Sequence, residues 1–363
     1  MPQNLNFEND FSKINRMDWN TLSCLDKALA LAASLCHQNA FWNFVFRKYS
    51  ESDCLTRCIP LDYADTEYYD KVGFHAGIEI QRRSISRNLS YAAIRESLKS
   101  GNLCVVIINN KFRPGSKHFG VKDHPHFVLI IEMHNGICSI IDEPLEREFW
   151  KPENYKNGVE YSRQNIDYNS LLAMTHNTDQ FAQRLGFHVN NTENLYCFSI
   201  ASIKLAPEKT QINTILSNEI SLMVDSVNSH TDYINREITK FQKSYFDRYQ
   251  RLNLSDTIDI SELHKSDPLG IKEKTYFPYE WKLAKFHMTY FRTIMSCISD
   301  LVDETKIKSY AADCIKLDYA KLQMLLSKDI IKNNYSNLSH LADMFYKIYY
   351  TEISLLSNML KFL

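Results

Sequence analysis

The sequence predicts an α+β domain followed by a C-terminal helical bundle. Eight of the nine glycines fall between Gly73 and Gly186, so glycine-containing turns are concentrated in that part of the chain. Short apolar runs typical of strands, such as 103–108, occur in the same part. The remainder of the chain has long segments with helical periodicity. We therefore expect a first domain over 1–206 and a helical domain over 207–363.

The elements of the first domain follow from local patterns. An alanine- and leucine-rich run and two amphipathic runs predict helices, and runs rich in β-branched residues predict strands. His134-Asn135-Gly136 is a turn signal between two such strands, which predicts a hairpin. The predicted helices are 22–35, 40–49 and 91–100, and the predicted strands are 103–108, 127–133, 137–141 and 196–203.

The second domain is predicted from apolar residues at helical spacing. A polar connection over 253–278, which contains Asp267-Pro268-Leu269-Gly270, separates the first long helix from the others. The predicted helices are 212–249, 279–302, 306–331 and 338–363. The tyrosines of this domain are interpreted either as the lining of an acyl channel or as ordinary bundle core and surface residues.

Composition excludes several classes of function. The formal charge of −1 gives no general electrostatic basis for binding nucleic acid or membrane. No signal-peptide pattern and no apolar stretch of membrane-spanning length occurs. The nine cysteines are scattered, and Cys54 and Cys58 have no matching pair to complete a zinc site. We expect a cytoplasmic protein with reduced thiols, without a metal or a cofactor of its own.

Cys24 is the candidate nucleophile. Polar residues end at Ser23, and a strongly helix-favouring run begins at Cys24. Unpaired backbone N–H groups and the positive end of the helix dipole favour a thiolate at that position. Cys36 is the alternative, but it lies at the opposite end of the same run, where the dipole disfavours a thiolate.

His126 and Asp142 are the candidate partners of this thiol. His126 stands at the start of the first hairpin strand, and Asp142 stands at the end of the second. An imidazole can take the thiol proton, while a carboxylate fixes its tautomer and stabilises the imidazolium. His124 is the alternative base, and Asp123 and Glu143 are the alternative carboxylates.

The hairpin register decides whether His126 and Asp142 share a face. A two-residue turn without a bulge would pair His126 with Leu145 and point Asp142 to the other face. A three-residue loop, or a bulge, would pair His126 with Pro144 and make Asp142 its diagonal neighbour. We therefore predict one of these two irregularities.

The oxyanion hole needs hydrogen-bond donors near the thiol. The backbone N–H of Cys24 is the first candidate. Asn20 lies one helical turn upstream and could offer its side-chain amide, although a loop or capping role explains an asparagine there equally well.

The N-terminal part resembles the C39-peptidase-like family, and most closely its butirosin biosynthesis protein H type. The matching segments are Ser23-Cys24 opening a helix, Leu98 to Val106, His126 to Ile130 and Ile140 to Pro144. The resemblance covers about the first 145 residues and implies a papain-like (C39-like) cysteine-protease fold. Cys24, His126 and Asp142 then match the family's Cys-His-Asp triad.

The resemblance also implies an acyltransferase. In that type, an acyl group arrives as a thioester on the phosphopantetheine arm of an acyl or peptidyl carrier protein, passes to the cysteine, and is captured by a small amine as an amide. A related class works in closthioamide-type antibiotic biosynthesis. Seven basic residues are interpreted either as a contact for an acidic carrier or as a solvated loop. They are Arg82, Arg83, Arg87, Lys111, Arg113, Lys117 and Lys122.

Two other functions remain open at the level of sequence. A cysteine protease or amidase would use the same three residues, with water in place of the amine. A catalytically silent binding protein could have kept the scaffold alone, and a Cys24 no more reactive than the other thiols would indicate this.

Overall fold

The computed structural model divides into two compact units, Met1–Glu51 with Leu61–Ile215 and Ser52–Pro60 with Leu216–Leu363. The division after Ile215 falls nine residues beyond the predicted boundary at 206. The structure describes residues 23–37, 39–51, 66–116, 118–142, 162–189, 194–205, 211–222, 224–225, 292–318, 321–322, 324–325 and 338–363.

The first unit is built on a six-stranded antiparallel sheet in the order β1-β6-β2-β3-β4-β5. β2 and β6 are buried along almost their whole length because they lie in the interior of the sheet. The strands are β1 Ile78–Ser86, β2 Leu103–Asn109, β3 Pro125–His134, β4 Ile137–Asp142, β5 Ser162–Asp167 and β6 Asn194–Ser202.

Six helices of the first unit flank this sheet in the described ranges. Two of them, α1 and α2, pack on each other, and α1 also contacts β3, β2 and β6. The helices are α1 Cys24–Cys36, α2 Ala40–Glu51, α3 Thr66–His75, α4 Ser90–Lys99, α5 Tyr168–Ala173 and α6 Asp179–Arg184.

One face of the sheet forms a continuous apolar core. Val128 and Ile130 of β3 pack there with Ile94 of α4 and Leu171 of α5. Burial of these side chains contributes about 1.5–3 kcal/mol each to folding, which fixes the position of β3.

Mixed helix and antiparallel sheet were expected, and the α+β class of this unit is confirmed.

The two edge strands, β1 and β5, were not predicted. Past Ile80, β1 is polar except for the half-buried Ile85, and in β5 Ile166 is the one apolar and buried residue. Edge strands tolerate such polar sequences because one side faces solvent.

The described part of the second unit is helical. Its labelled helices are α7 Arg292–Leu301, α8 Thr305–Ile315 and α9 Leu338–Met359, and α8 packs on both α7 and α9. The predicted continuous helix over 306–331 is wrong, because α8 ends at Ile315. There the Lys316 N–H bonds to Asp313, three residues back, instead of continuing the four-residue ladder.

Other predictions for this unit fall partly beyond the described residues. Of the helix predicted over 212–249, the segment 212–222 is described and helical. The whole connection over 253–278 and several of the tyrosines lie outside the described residues. Among the residues that are described, no helix is both long and apolar enough to cross a membrane.

Candidate active site

Cys24 is the first residue of α1, as its sequence context predicts. Ser23 caps the helix: its hydroxyl oxygen accepts a hydrogen bond from the Asp26 N–H, at 3.2 Å. The Asp26 carboxylate in return accepts the Ser23 N–H, at 2.7 Å. This reciprocal capping box fixes the helix start at Cys24 and holds the half-buried thiol at the positive end of the helix dipole.

The rest of α1 is a rigid support for that thiol. Every residue from Leu25 to Leu35 is buried. Close-packed surroundings leave such a helix little room to shift or rotate. Since α1 also contacts β3, the sheet and the capping box together set where Cys24 lies.

The β3–β4 hairpin carries both an ideal two-residue turn and a bulge. His134 pairs with Ile137 across Asn135 and Gly136, whose φ values of +48° and +80° are those of a type I′ turn. Further along, Ile130 pairs with Ile140 but Glu132 pairs with Ser139, so Ile131 is an extra residue.

The bulge puts His126 and Asp142 on one face. Beyond it Leu129 pairs with Ile141, so Asp142 lies opposite Val128, two residues from His126. The three-residue loop offered as one possibility is wrong, and the bulge offered as the other is confirmed. With Ile131 in a regular, unbulged ladder, the two-residue turn would pair Leu129 with Asp142 and place the carboxylate on the opposite face from His126.

His126 and Asp142 form a buried hydrogen bond. The Nε2–H of the imidazole donates to Asp142 Oδ1 over 2.6 Å, and each side chain is 1% exposed. A carboxylate only accepts hydrogen bonds, so this contact assigns the proton to Nε2 and leaves Nδ1 for chemistry. Strand β5 secures the same corner, since Gln164 Nε2 donates to the Asp142 carbonyl oxygen at 3.1 Å.

Arg113 completes the group from a third direction. Its Nη2 lies 2.9 Å from Asp142 Oδ2, and this side chain is also 1% exposed. The chain reaches it through a short 3-10 turn, Asn110–Phe112, that follows β2. The carboxylate therefore accepts a hydrogen bond from the histidine at one oxygen and forms an ion pair with the arginine at the other.

The electrostatics of this group favour the imidazolium. Burial lowers the pKa of His126, and the Arg113 charge lowers it further. The Asp142 carboxylate, the Cys24 charge and the hydrogen bond to Asp142 raise it and prevail, which gives a pKa of about 10. Cys24 is thus close enough to act on the imidazole through its charge, although a thiol–imidazole hydrogen bond is not among the described contacts. Such bonds often tighten only when substrate binds.

The alternative residues lie in other surroundings. Burial raises the pKa of Cys36 to about 11 against a smaller opposing effect of Ser202, so its thiol stays protonated near neutral pH. His124 stacks on His118 with ring centres 4.2 Å apart, and its Nδ1 is 3.3 Å from Asn110 Nδ2. Asp123 accepts a hydrogen bond from Asn109 at 2.7 Å. Glu143 and Asn20 lie outside the described residues.

Arg113 was predicted among basic residues at a carrier contact or on a solvated loop, and both interpretations are wrong for it because it is buried against Asp142. Three others of the set have local partners. Arg82 pairs with Asp70 at 2.9 Å, Arg87 donates to the Leu172 carbonyl, and Lys111 lies 3.7 Å from Asp123. Arg83 and Lys122 are exposed, and Lys117 lies outside the described residues.

The arrangement can support nucleophilic chemistry by a thiol. Cys24, His126 and Asp142 supply a nucleophile, a proton carrier and an orienting carboxylate. Across the described ranges, no group of three or more His, Cys, Asp or Glu side chains is placed to hold a metal ion. No protein-family model matches the chain, and no curated protein matches it either.

Proposed function

We propose that this protein is a cysteine acyltransferase of papain-like fold that uses Cys24, His126 and Asp142. The observation that carries the proposal is the buried 2.6 Å hydrogen bond between His126 and Asp142, on a strand that the Cys24 helix contacts. The cysteine at the start of that helix and the His126–Asp142 pair are the residue types that thiol catalysis requires, which supports the proposal.

In the first half-reaction the Cys24 thiolate attacks the carbonyl carbon of an acyl thioester. The new bond joins sulfur to carbon, and the bond to the departing thiolate breaks. The His126 imidazolium gives its Nδ1 proton to that departing thiolate. Asp142 holds the ring throughout with Nε2 as the fixed donor, so Nδ1 is the nitrogen that exchanges the proton.

In the second half-reaction an amine attacks the Cys24 thioester. His126, now neutral, accepts a proton from the attacking nitrogen, the carbon–sulfur bond breaks, and the amide leaves. Cys24 returns as the thiolate beside an imidazolium. A thioester is a higher-energy acyl donor than an amide, so neither step needs ATP.

The proposed donor is an acyl group on the phosphopantetheine arm of an acyl or peptidyl carrier protein, and the proposed acceptor is a small amine. This assignment rests on the resemblance of about the first 145 residues to amide-forming C39-like enzymes of natural-product biosynthesis. No cofactor is needed beyond the arm that the substrate brings.

Intact-mass analysis tests the proposal. Wild type and Cys24→Ala are incubated with an acyl-phosphopantetheine thioester, with and without a diamine, and Cys36→Ala serves as the matched thiol control. We expect an acyl adduct on wild type and on Cys36→Ala, absent from Cys24→Ala, that the diamine discharges as an amide. Discharge by water alone would indicate a hydrolase, and no Cys24-dependent adduct would contradict the acyltransferase.

A further inference from the structure

Arg113 is next to the candidate site but takes no part in the two half-reactions proposed above. It is a fully buried guanidinium, 1% exposed, with Nη2 2.9 Å from the carboxylate oxygen that His126 does not use. Burying a cation costs several kcal/mol unless a partner compensates. The described partner of that cation is the orienting carboxylate of the candidate site.

We propose that Arg113 is a positioning residue that holds the Asp142 carboxylate in place, and thereby keeps the His126 ring oriented and able to release its proton. This inference rests on the proposed function. The terminal torsion of an aspartate is broad, and the His126 hydrogen bond restrains it at one oxygen, Oδ1. With Oδ2 held by Arg113, Oδ1 is fixed toward Nε2.

The charges around His126 come from three elements. Cys24 contributes from α1, Asp142 from β4, and Arg113 from the turn after β2. When Cys24 is a thiolate and His126 is protonated, His126 and Arg113 carry two positive charges and Cys24 and Asp142 carry two negative charges. Acylation removes the negative charge of Cys24, and Arg113 then opposes the remaining positive charge on His126. The arginine thus favours the neutral imidazole that the attacking amine requires.

The titration of His126 tests this without any substrate. Ring signals of labelled histidine are followed against pH by NMR in a Cys24→Ala background, and His126→Gln identifies the signal. Arg113→Gln removes the charge and keeps an amide donor, whereas Arg113→Lys keeps the charge and loses the planar fork. We expect Gln to raise the His126 titration by on the order of one pH unit and Lys to leave it near the parent value.

A matched control is Arg163→Gln. Arg163 also pairs with a carboxylate, Glu132, at 3.0 Å, but its side chain is 55% exposed. Its loss should leave the His126 titration unchanged. A purely structural role for Arg113 would lower the melting temperature of Arg113→Gln while the titration of His126 in the folded protein stayed at the parent value, and that result would overturn the inference.

A second readout covers the case in which Arg113→Gln does not fold. In Arg113→Lys we expect the Nε2–H proton signal of His126 to move or broaden, because one ammonium cannot hold the carboxylate as the guanidinium does. An unmoved signal would overturn the positioning role. Both readouts are independent of acyl transfer, so failure of the intact-mass experiment would contradict the proposed function and leave these results interpretable.

Discussion

Helix α1 carries a cysteine at each end, and the two thiols lie in opposite surroundings. Cys24, at the N-terminus, interacts electrostatically with His126, whose Nε2–H is hydrogen-bonded to Asp142. Cys36, at the C-terminus, is half-buried, and burial raises its pKa to about 11. The same residue type on the same helix therefore lies within electrostatic reach of a buried histidine at one end and is kept protonated by burial at the other.

Under the proposed function, position on a helix is only part of what activates Cys24. The helix dipole contributes up to about 1 kcal/mol at an exposed end. The imidazole and its carboxylate come from strands more than a hundred residues away in sequence. Substitutions at each of these groups measure how much each one contributes.

The largest effect is expected from removing the nucleophile. Cys24→Ser should lower acyl transfer by more than about 10³-fold, because a serine hydroxyl is a far weaker nucleophile than a thiolate. Cys36→Ser, the matched change at the other end of α1, should leave the rate unchanged. Steady-state amide formation measures both, and equal losses in the two variants would contradict the assignment.

The next effect is expected at the orienting carboxylate. Asp142→Asn should lower the rate by roughly 10²–10⁴-fold by removing the charge that stabilises the imidazolium. It should also lower the free energy of unfolding by about 3–5 kcal/mol, because the buried Arg113 cation loses its ion pair with the Asp142 carboxylate.

Asp123→Asn is the control for that change. Asp123 is 46% exposed and pairs with Lys111 at 3.7 Å, so its loss should cost little stability or activity. Activity and urea unfolding are measured on both variants. A larger loss of activity in Asp123→Asn than in Asp142→Asn would move the orienting role to Asp123.

A smaller effect is expected in the pH dependence of stability. The folded pKa of His126 is raised from 6.5 to about 10. A raised pKa on a basic group stabilises the fold fully below the unfolded value, and this contribution is lost as pH rises through the folded value. Unfolding free energy should thus fall between pH 6.5 and pH 10 more steeply in wild type than in His126→Gln.

Buried cysteines also affect stability at alkaline pH. The quantity to compare is therefore the difference in unfolding free energy between wild type and His126→Gln at each pH. Burial raises the pKa of Cys138 to about 12, for example, and that effect is common to both proteins. Parallel curves for wild type and His126→Gln would show that His126 is not protonated in the folded state.

The smallest effect is expected at the helix cap. Ser23→Ala removes one half of the capping box and should cost about 1 kcal/mol in unfolding free energy, with a modest loss of activity as the start of α1 frays. Ser100→Ala is the control, because the Ser100 hydroxyl is exposed and donates to a carbonyl at the end of α4. Thermal unfolding of the two variants should differ, and equal melting temperatures would indicate that the cap does not hold the Cys24 end of α1.

Sequence patterns anticipated the parts of this molecule that local physics determines. The start of α1 at Cys24 follows from Ser23 and the run after it, and the turn at Asn135-Gly136 follows from the left-handed preference of those residues. The number of residues between His126 and Asp142 predicts that the hairpin has a longer loop or a bulge if the two side chains share a face. The sequence does not distinguish these two, because β3 is a continuous apolar run that permits either.

Local sequence patterns did not predict contacts between residues distant in the chain, such as the one between Arg113 and Asp142. Arg113 sits in a polar loop of the sequence, and nothing local distinguishes a buried arginine from a solvated one. The available signal was indirect: a buried carboxylate at Asp142 needs compensation by a cation as well as a histidine.

The end of α8 at Ile315 was not predicted for a different reason, since no Gly or Pro follows it to mark a helix end.

The most direct test of the account is the alkylation rate of Cys24 relative to Cys36 in folded protein. Wild type and His126→Gln are treated with iodoacetamide near neutral pH, and each cysteine is followed by peptide mass mapping. Modification of Cys24 well ahead of Cys36 in wild type, with the preference lost in His126→Gln, is the predicted result. Equal rates for the two thiols in wild type, or a preference that survives the loss of His126, would contradict a Cys24 thiolate sustained by His126 and Asp142.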